Sequence, residues 1–513
     1  MKVINHTKSI CPLCLTKISA SIIEDQGKIF IKKTCKKHGE FRDLYYGNAE
    51  LYKIFLEHYR EGVVNQDKVN SDGKNCPDMC GLCGYHKSST ILANIDVTNA
   101  CNFKCPVCFA NSEVSDYYYN PSFETISYMM DVLRNQNPPC EVIQFSGGEP
   151  TVRKDFLEIA RLAKQKGFIH IQLATNGKII AEDPEYAKKL HEMKFDTIYL
   201  QFDGVTPEPY VKTRGFNALP IKLKAVDNVR RIMKSGPHIV LVPTIAKDVN
   251  DHQIGDIIRF AAENIDVVRG INFQPLAYTG RISNEDLLNR RITIANLIYL
   301  MKDQLDSQID VDDFLPVTAF GPVLDFLQMM NINIEYPKLN THPVCGAWTF
   351  VFAEGKKLVP LTRIINIKEL IQFIGSIKVK SNTQIAAKII SRIHKLLRPE
   401  SIKYSKKIAL LLKDVFIKRS VEAASNFTNN INILFIGSMH FMDPYNFDIE
   451  RLQRCCIHNV TPDGSVIPFC SYNIFYREKV ERKFAKKINI KKSQSKQYSK
   501  NQLEKACVER EEK

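Results

Sequence analysis

Between Ile91 and about Pro275 the apolar positions switch repeatedly between a period of two and a period near 3.6. The runs ILANIDVT, EVIQFS, FIHIQLAT, DTIYLQF, HIVLVPTI and VVRGINFQ are rich in β-branched residues and predict strands. Stretches between them, such as DFLEIARLAKQKG and DIIRFAAEN, place their apolar residues on one helical face. Six such units in a row predict an α/β fold, a partial (β/α)6 barrel with a parallel sheet inside and helices outside. Near the start of the chain, ISASIIE and KIFIKKT flank the turn DQG and predict a hairpin. The pattern divides the chain into a metal-binding ribbon (1–45), an auxiliary-cluster segment (46–90), the core barrel (91–275) and an irregular connecting region (276–365). A basic amphipathic helical segment (366–430), a C-terminal cysteine-containing region (431–482) and a basic polar tail (483–513) follow.

Composition narrows the class. The 513 residues are 44% apolar and 25% charged, which excludes a collagen or a disordered chain. The opening MKVINHTKSICPLC has no apolar signal core and no run of 18 apolar residues occurs, so a cytoplasmic protein is expected. Lys and Arg total 71 against 56 Asp and Glu, a net +15 that points to a polyanionic partner. That surplus lies in residues 367–425, with 13 basic against 4 acidic residues, and in 477–513, with 13 against 6. The rest of the chain is near neutral, so no nucleic-acid partner is expected. In IAAKIISRIHKLL, residues 385–397, Ile385, Ile389, Ile390, Ile393, Leu396 and Leu397 share one face, with Lys388, Arg392 and Lys395 opposite. Such a helix suits a peripheral contact with the inner membrane surface, or equally an ordinary surface-packed helix.

The 15 cysteines are mostly clustered, which in a cytoplasmic chain indicates metal binding and not disulfides. Cys101-x3-Cys105-x2-Cys108 follows directly on the first barrel strand. Three thiolates on a four-iron cluster leave one iron open to a small ligand. Ser146-Gly147-Gly148-Glu149-Pro150 follows the second strand, where two glycines allow a close backbone approach to that ligand. Thr175-Asn176-Gly177, Asp203-Gly204 and Pro243-Thr244 follow the next three strands, at the strand ends where barrel active sites form. A CxxxCxxC alone also suits a zinc knuckle; its place after a strand, with GGEP after the next, makes the difference.

On these motifs residues 91–275 resemble the radical SAM superfamily. The resemblance implies a [4Fe–4S] cluster on Cys101, Cys105 and Cys108, coordinated with S-adenosylmethionine (SAM), and a low-potential electron donor. It assigns the SAM contacts to Ser146, Gly147, Gly148, Glu149, Pro150, Thr175, Asn176, Asp203 and Pro243. One departure is Val107, where the superfamily commonly has an aromatic residue; Phe109 offers an alternative aromatic face.

Further cysteines extend the metal inventory. Cys76-x3-Cys80-x2-Cys83 repeats the same spacing but follows a turn-like segment, and so reads as an auxiliary [4Fe–4S] site, or else a zinc site. Cys11, Cys14, Cys35 and His38 have the spacing of a tetrahedral mononuclear site for zinc or iron. Cys345, Cys455 and Cys470, with Cys456 as the alternative to Cys455, are candidates for a second auxiliary cluster. Cys140 and Cys507 read as structural or incidental, and His86 as an ordinary polar contact.

Over nearly the whole chain, CPLC…CKKHGEF, NCPDMCGLCGYHKSSTILANIDVTNACNFKCPVCFAN, HPVCGAWTFVF and GSMHFMDPYNFDIERLQRC look like the archaeal tetraether lipid synthase group. That resemblance implies a C–C bond made between terminal methyl carbons of the isoprenoid chains of an archaeal ether phospholipid, through hydrogen abstraction by a 5′-deoxyadenosyl radical. His440, Asp443, Tyr445 and Gln274 are candidates to line the pocket, or else turn and core residues. A radical SAM enzyme acting on a peptide, and a non-catalytic iron–sulfur protein, are the competing expectations.

Overall fold

The computed structural model describes residues 1–61, 76–78, 80–113, 116–232, 236–282, 287, 289–329, 339–377, 384, 391–392, 395–398, 403–404 and 432–487. Six parallel strands form the centre: β1 (Leu92–Thr98), β2 (Val142–Gly147), β3 (His170–Thr175), β4 (Thr197–Gln201), β5 (His238–Val242) and β6 (Val268–Pro275). They lie side by side in chain order, each joined to the next through helix, as the periodicity predicts.

Alternation along each strand sorts the side chains. Ile95, Phe145, Leu173, Leu200 and Leu241 point to the helices and belong to one large apolar core. The helix Phe123–Arg134 shows how the covering layer forms. Ser122 accepts a hydrogen bond from the Thr125 amide at its start, and Ile126, Met129, Met130 and Leu133 bury one face. Each such side chain contributes about 1.5–3 kcal/mol by leaving water.

The sheet continues at both margins with strands from distant parts of the chain. β8 (Ile433–Met439) pairs parallel to β6, and β7 (Gly346–Glu354) pairs antiparallel to β8. On the other margin β9 (Ile457–Val460) runs parallel to β1, and β10 (Val466–Pro468) turns back on β9. The segments that carry the C-terminal cysteines are therefore stitched to the two margins of the barrel sheet.

The first residues form a separate four-stranded antiparallel sheet, Lys2–Ile10, Lys17–Asp25, Lys28–Cys35 and Gly39–Tyr46. Ile22, Ile31 and Tyr46 of this ribbon join the main apolar core. Arg291 locks it further, its Nε 2.6 Å from Asp43 of the ribbon and its Nη2 3.0 Å from Asp443 of the C-terminal region. The hydroxyls of Thr7 and Tyr45 both donate to Asp448 at 2.7 Å. Asp443, a sequence candidate for the pocket, is thus an anchor for the ribbon. Most of the amphipathic segment 385–397 and all of the tail beyond 487 lie outside the described residues.

Candidate active site and cysteine clusters

The loop carrying Cys101, Cys105 and Cys108 leaves the C-terminal end of β1 and is clamped by the glycine motif after β2. The Gly148 amide donates to Thr98 O at 2.7 Å and the Glu149 amide to Ala100 O at 2.8 Å. A Cβ on Gly147, whose φ is +122°, would stand 2.2 Å from Thr98 O, and one on Gly148 would stand 2.2 Å from Ala100 O. The close approach that requires glycine is thus between two backbones, the motif and the cluster loop.

Glu149 ties this pair of loops to the next. Its buried carboxylate accepts from the Thr151 hydroxyl (2.6 Å), the Thr175 hydroxyl (2.8 Å) and the Asn176 amide (2.7 Å). Burial raises its pKa, opposed by these same donors. Asn176 then reaches back, its Nδ2 donating to Asn102 Oδ1 at 2.7 Å beside Cys101. Lys222 Nζ holds the Asn176 carbonyl at 2.5 Å, and burial lowers the lysine to about 7.

After β4, Asp203 is fully buried and takes Arg214 in a two-point pair at 2.6 and 3.0 Å. It also accepts from the Thr213 hydroxyl and the Thr244 amide. Arg214 in turn donates to Val107 O at 3.2 Å, within the cluster loop. Asp203 therefore positions the loop through arginine. The Pro243 carbonyl accepts from the Gln274 amide at 2.9 Å and joins the ends of β5 and β6.

Burial pushes Cys101 up to about 12, helped by Glu149, and also raises Cys105. With Cys101, Cys105 and Cys108 half-buried on one loop and a tight glycine cradle beside them, the donor set fits an iron–sulfur cluster.

In the ribbon, Cys11, Cys14, Cys35 and His38 bring their ligand atoms within 4.8 Å of one another. Cys14 and Cys35 Sγ are 3.9 Å apart, close to the edge of about 3.8 Å expected for a tetrahedron with 2.3 Å zinc–sulfur bonds. Hydrogen bonding to Thr16 lowers Cys14 to about 6, whereas burial raises Cys11 to about 11.

Cys76, Cys80 and Cys470 pack in one apolar cluster with Met442 and Phe447. Tyr476 staples the first auxiliary triplet, accepting from the Cys80 amide at 2.9 Å and donating to Pro77 O. Cys345, Cys455 and Cys470 lie in electrostatic range of one another despite their separation in sequence, and Cys456 lies in range of Cys345 and Cys455. Arg451 Nε donates to Cys345 Sγ at 3.4 Å. His86 bridges the two groups of cysteines, its amide donating to Cys83 O at 2.8 Å and its Nε2 lying 2.7 Å from Cys455 O. Cys140 is buried against β2, and His440 is buried with its Nε2 unpartnered among the described residues.

The face of the strands turned away from the helices carries amides: Asn94, Gln144, Gln172, Gln201, Asn272 and Gln274, with Tyr199 among them. Gln144 Nε2 donates to Asn94 Oδ1 at 2.9 Å, and the Tyr199 hydroxyl bonds Asn272 across β5. Gln144 Oε1 and both amide atoms of Gln201 are buried without a partner among the described residues. Packing an isoprenoid chain against such a wall would leave each free amide unsatisfied, at about 1–3 kcal/mol apiece.

Three signals went unread in the sequence. Lys222 stands in the apolar stripe of its helix with Ala225, Val226 and Val229, a spacing that marks a buried lysine. Arg214 closes a short helix directly before a glycine. Gln201 stands two positions after Tyr199, and Gln274 two positions after Asn272, a polar alternation on the inward face of β4 and β6.

The radical SAM superfamily model matches residues 95–261, and the model of the HMPTM N-terminal zinc ribbon domain matches residues 3–47. The chain is 48% identical over 491 residues to the 7,8-dihydro-6-hydroxymethylpterin dimethyltransferase of Methanocaldococcus jannaschii, covering 93% of this chain and 95% of that protein. It is 34% identical over 224 residues to the Fe-coproporphyrin III synthase of Methanosarcina barkeri, covering 43% of this chain and 53% of that protein. Among solved structures, SuiB of Streptococcus suis bound to precursor peptide SuiA matches with a TM-score of 0.36 and 17% identity over 43% of this chain and 46% of that one. The tetraether resemblance is therefore corrected: the full-length relative is named for a pterin, and lipid coupling, an ether phospholipid partner and a membrane-surface contact lose their basis. Among the described residues no helix is long and apolar enough to cross a membrane. Its strand order, its cysteine loop clamped by the glycine motif, and a relative matched from end to end make the chain a member of the radical SAM superfamily, in the family of that pterin dimethyltransferase, using a [4Fe–4S] cluster and SAM.

Proposed function

We propose that this chain is a radical SAM enzyme that methylates carbon atoms of a reduced pterin, with 7,8-dihydro-6-hydroxymethylpterin as the acceptor, a methyl-donor cosubstrate supplying each methyl group and one C–H hydrogen leaving for each methyl gained. The observation that carries the reading is the 48% identity to the dimethyltransferase over 95% of that protein's length. The amide-lined inner face of β1–β6 supports it, because a pterin presents ring nitrogens, an amino group and a carbonyl along its edges. Asn and Gln supply both donors and acceptors to such groups without imposing charge.

In this reading Cys101, Cys105 and Cys108 hold the cluster, and the glycine motif with Thr175 and Asn176 frames the SAM side of the mouth. When bound, the cluster and SAM supply a carbon radical that takes hydrogen from carbon positions where acid–base chemistry has no purchase. Glu149 and Lys222 keep the Asn176 loop in place, and Arg214 fixes Val107 within the cluster loop. Cys76, Cys80 and Cys83 form one auxiliary site in this proposal, and Cys345, Cys455 and Cys470 with Cys456 nearby form another. The ribbon cysteines with His38 hold zinc.

The test compares 5′-deoxyadenosine formation by reduced, reconstituted protein with and without added 7,8-dihydro-6-hydroxymethylpterin. Stimulation by the pterin, and none by an archaeal ether lipid, is expected. Equal rates in all three conditions would contradict the substrate reading.

A further inference from the structure

Arg477 opens the helix Arg477–Phe484, seven positions after Cys470, and enters the barrel mouth from the C-terminal region. It is buried, with 5% of its surface exposed. Nη1 donates to Asp96 at 2.7 Å and to Glu481 at 3.2 Å, and Nε donates to Asn473 Oδ1 at 2.9 Å. Among the described residues Nη2 has no hydrogen-bond partner. The other oxygen of Asp96 accepts the Ser146 hydroxyl at 2.7 Å, which puts this guanidinium one side chain away from the glycine motif. The ring of Phe109, directly after Cys108, lies 5.4 Å from the guanidinium carbon and is 44% exposed.

A guanidinium has five N–H donors, and here both on Nη2 are removed from water with no acceptor among the described residues. Leaving buried donors unmet is costly, so a ligand acceptor at that point is the economical explanation. The neighbouring carboxylates fix the guanidinium plane, and the half-open Phe109 face beside it suits a flat heteroaromatic ring.

We propose that Arg477 is the residue that reads the substrate ring, its Nη2 donating to the carbonyl oxygen on one edge of the pterin. Lysine, a point charge without the planar fork, does not reproduce it. The inference rests on the pterin reading above and adds to it a residue outside the barrel strands.

The experiment uses cluster-reconstituted, SAM-loaded enzyme and follows 7,8-dihydro-6-hydroxymethylpterin by its fluorescence. The Arg477→Lys variant keeps a cation for Asp96 and should bind the pterin roughly 5- to 150-fold more weakly, with SAM affinity unchanged. The 2,4-diamino analogue, which replaces the carbonyl acceptor by a donor, should bind the unaltered enzyme more weakly by a similar factor, and needs no variant to fold. Undiminished pterin binding by Arg477→Lys, undiminished binding of the analogue, or a parallel fall in SAM affinity that marks Nη2 as a SAM contact, would each overturn the assignment. Failure of the unaltered enzyme to bind the pterin would instead remove the substrate reading beneath it.

Discussion

The clamp between the glycine motif and the cluster loop makes a sharp prediction for Gly148→Ala. The added methyl would meet Ala100 O at 2.2 Å, Ala100 C at 2.7 Å and Asn99 O at 2.8 Å, all of them backbone atoms. Flexible side chains absorb such a clash, but here the loop itself has to move. Overpacking of this kind costs about 1–3 kcal/mol. Displacing the loop also weakens the bonds from the Gly148 and Glu149 amides, 2.7 and 2.8 Å long, at about 0.5–1.5 kcal/mol each. The total, about 2–6 kcal/mol, falls on the residue just before Cys101. After anaerobic reconstitution the variant should lack roughly the four irons of one cluster while ribbon zinc is retained, both read by elemental analysis. SAM cleavage should fall with the iron. The matched control is Gly375→Ala, where the nearest atom to the new methyl is 4.0 Å away inside the helix Ile367–Ser376. That change should be neutral or stabilising by up to about 1 kcal/mol. A Gly148→Ala protein with full iron and normal SAM cleavage would refute the reasoning.

Further outcomes follow from the same geometry. Asp203→Asn removes the partner of buried Arg214 and should cost about 3–5 kcal/mol in thermal or denaturant unfolding and weaken SAM binding; an unchanged melting curve would contradict the anchoring role. Cys101→Ala should abolish SAM cleavage, whereas Cys76→Ala should lower the iron content yet leave cleavage in place; the reverse pattern would exchange the roles of the two triplets. Glu481, buried beside Arg477 and Asp96, is raised from 4.5 to about 7, chiefly by burial. The folded state therefore holds an extra proton between those values, and stability declines as pH rises through that window. Glu481→Gln should gain about 3 kcal/mol relative to the unaltered protein between pH 4 and pH 8; a constant difference across that range would disprove the buried-acid account.

The barrel was legible because its strands alternate strictly. Ile95, Phe145 and Leu200 face the helices, and each carries a short-range pattern of apolar and polar neighbours that no other local structure fits. The cluster triplet and the glycine motif were legible because their spacing is local and follows strand ends. The marginal strands β7, β8 and β9 were not, since their partners lie hundreds of positions away or in a region without a clear period. Val351 pairs with Leu434, for example, and Ile457 with Leu92. Likewise Arg477 reaches Asp96 across 381 positions, a contact that no periodicity announces. The substrate was misread for a different reason. Runs such as HPVCGAWTFVF and CPLC report metal ligands and the scaffold around them, and these do not carry the identity of the ring or chain held in the barrel. The proposed pterin reading draws instead on inward amides at Asn94, Gln144, Gln201 and Asn272, which stand on four different strands and form no contiguous run.

The most direct test of the central claim is mass analysis of pterins from cells that make 7,8-dihydro-6-hydroxymethylpterin and express this chain. The account predicts pterins bearing one and two added methyl groups, absent when Cys101→Ala replaces the unaltered protein. An unmethylated pterin pool in cells whose protein carries its full iron and cleaves SAM would contradict it.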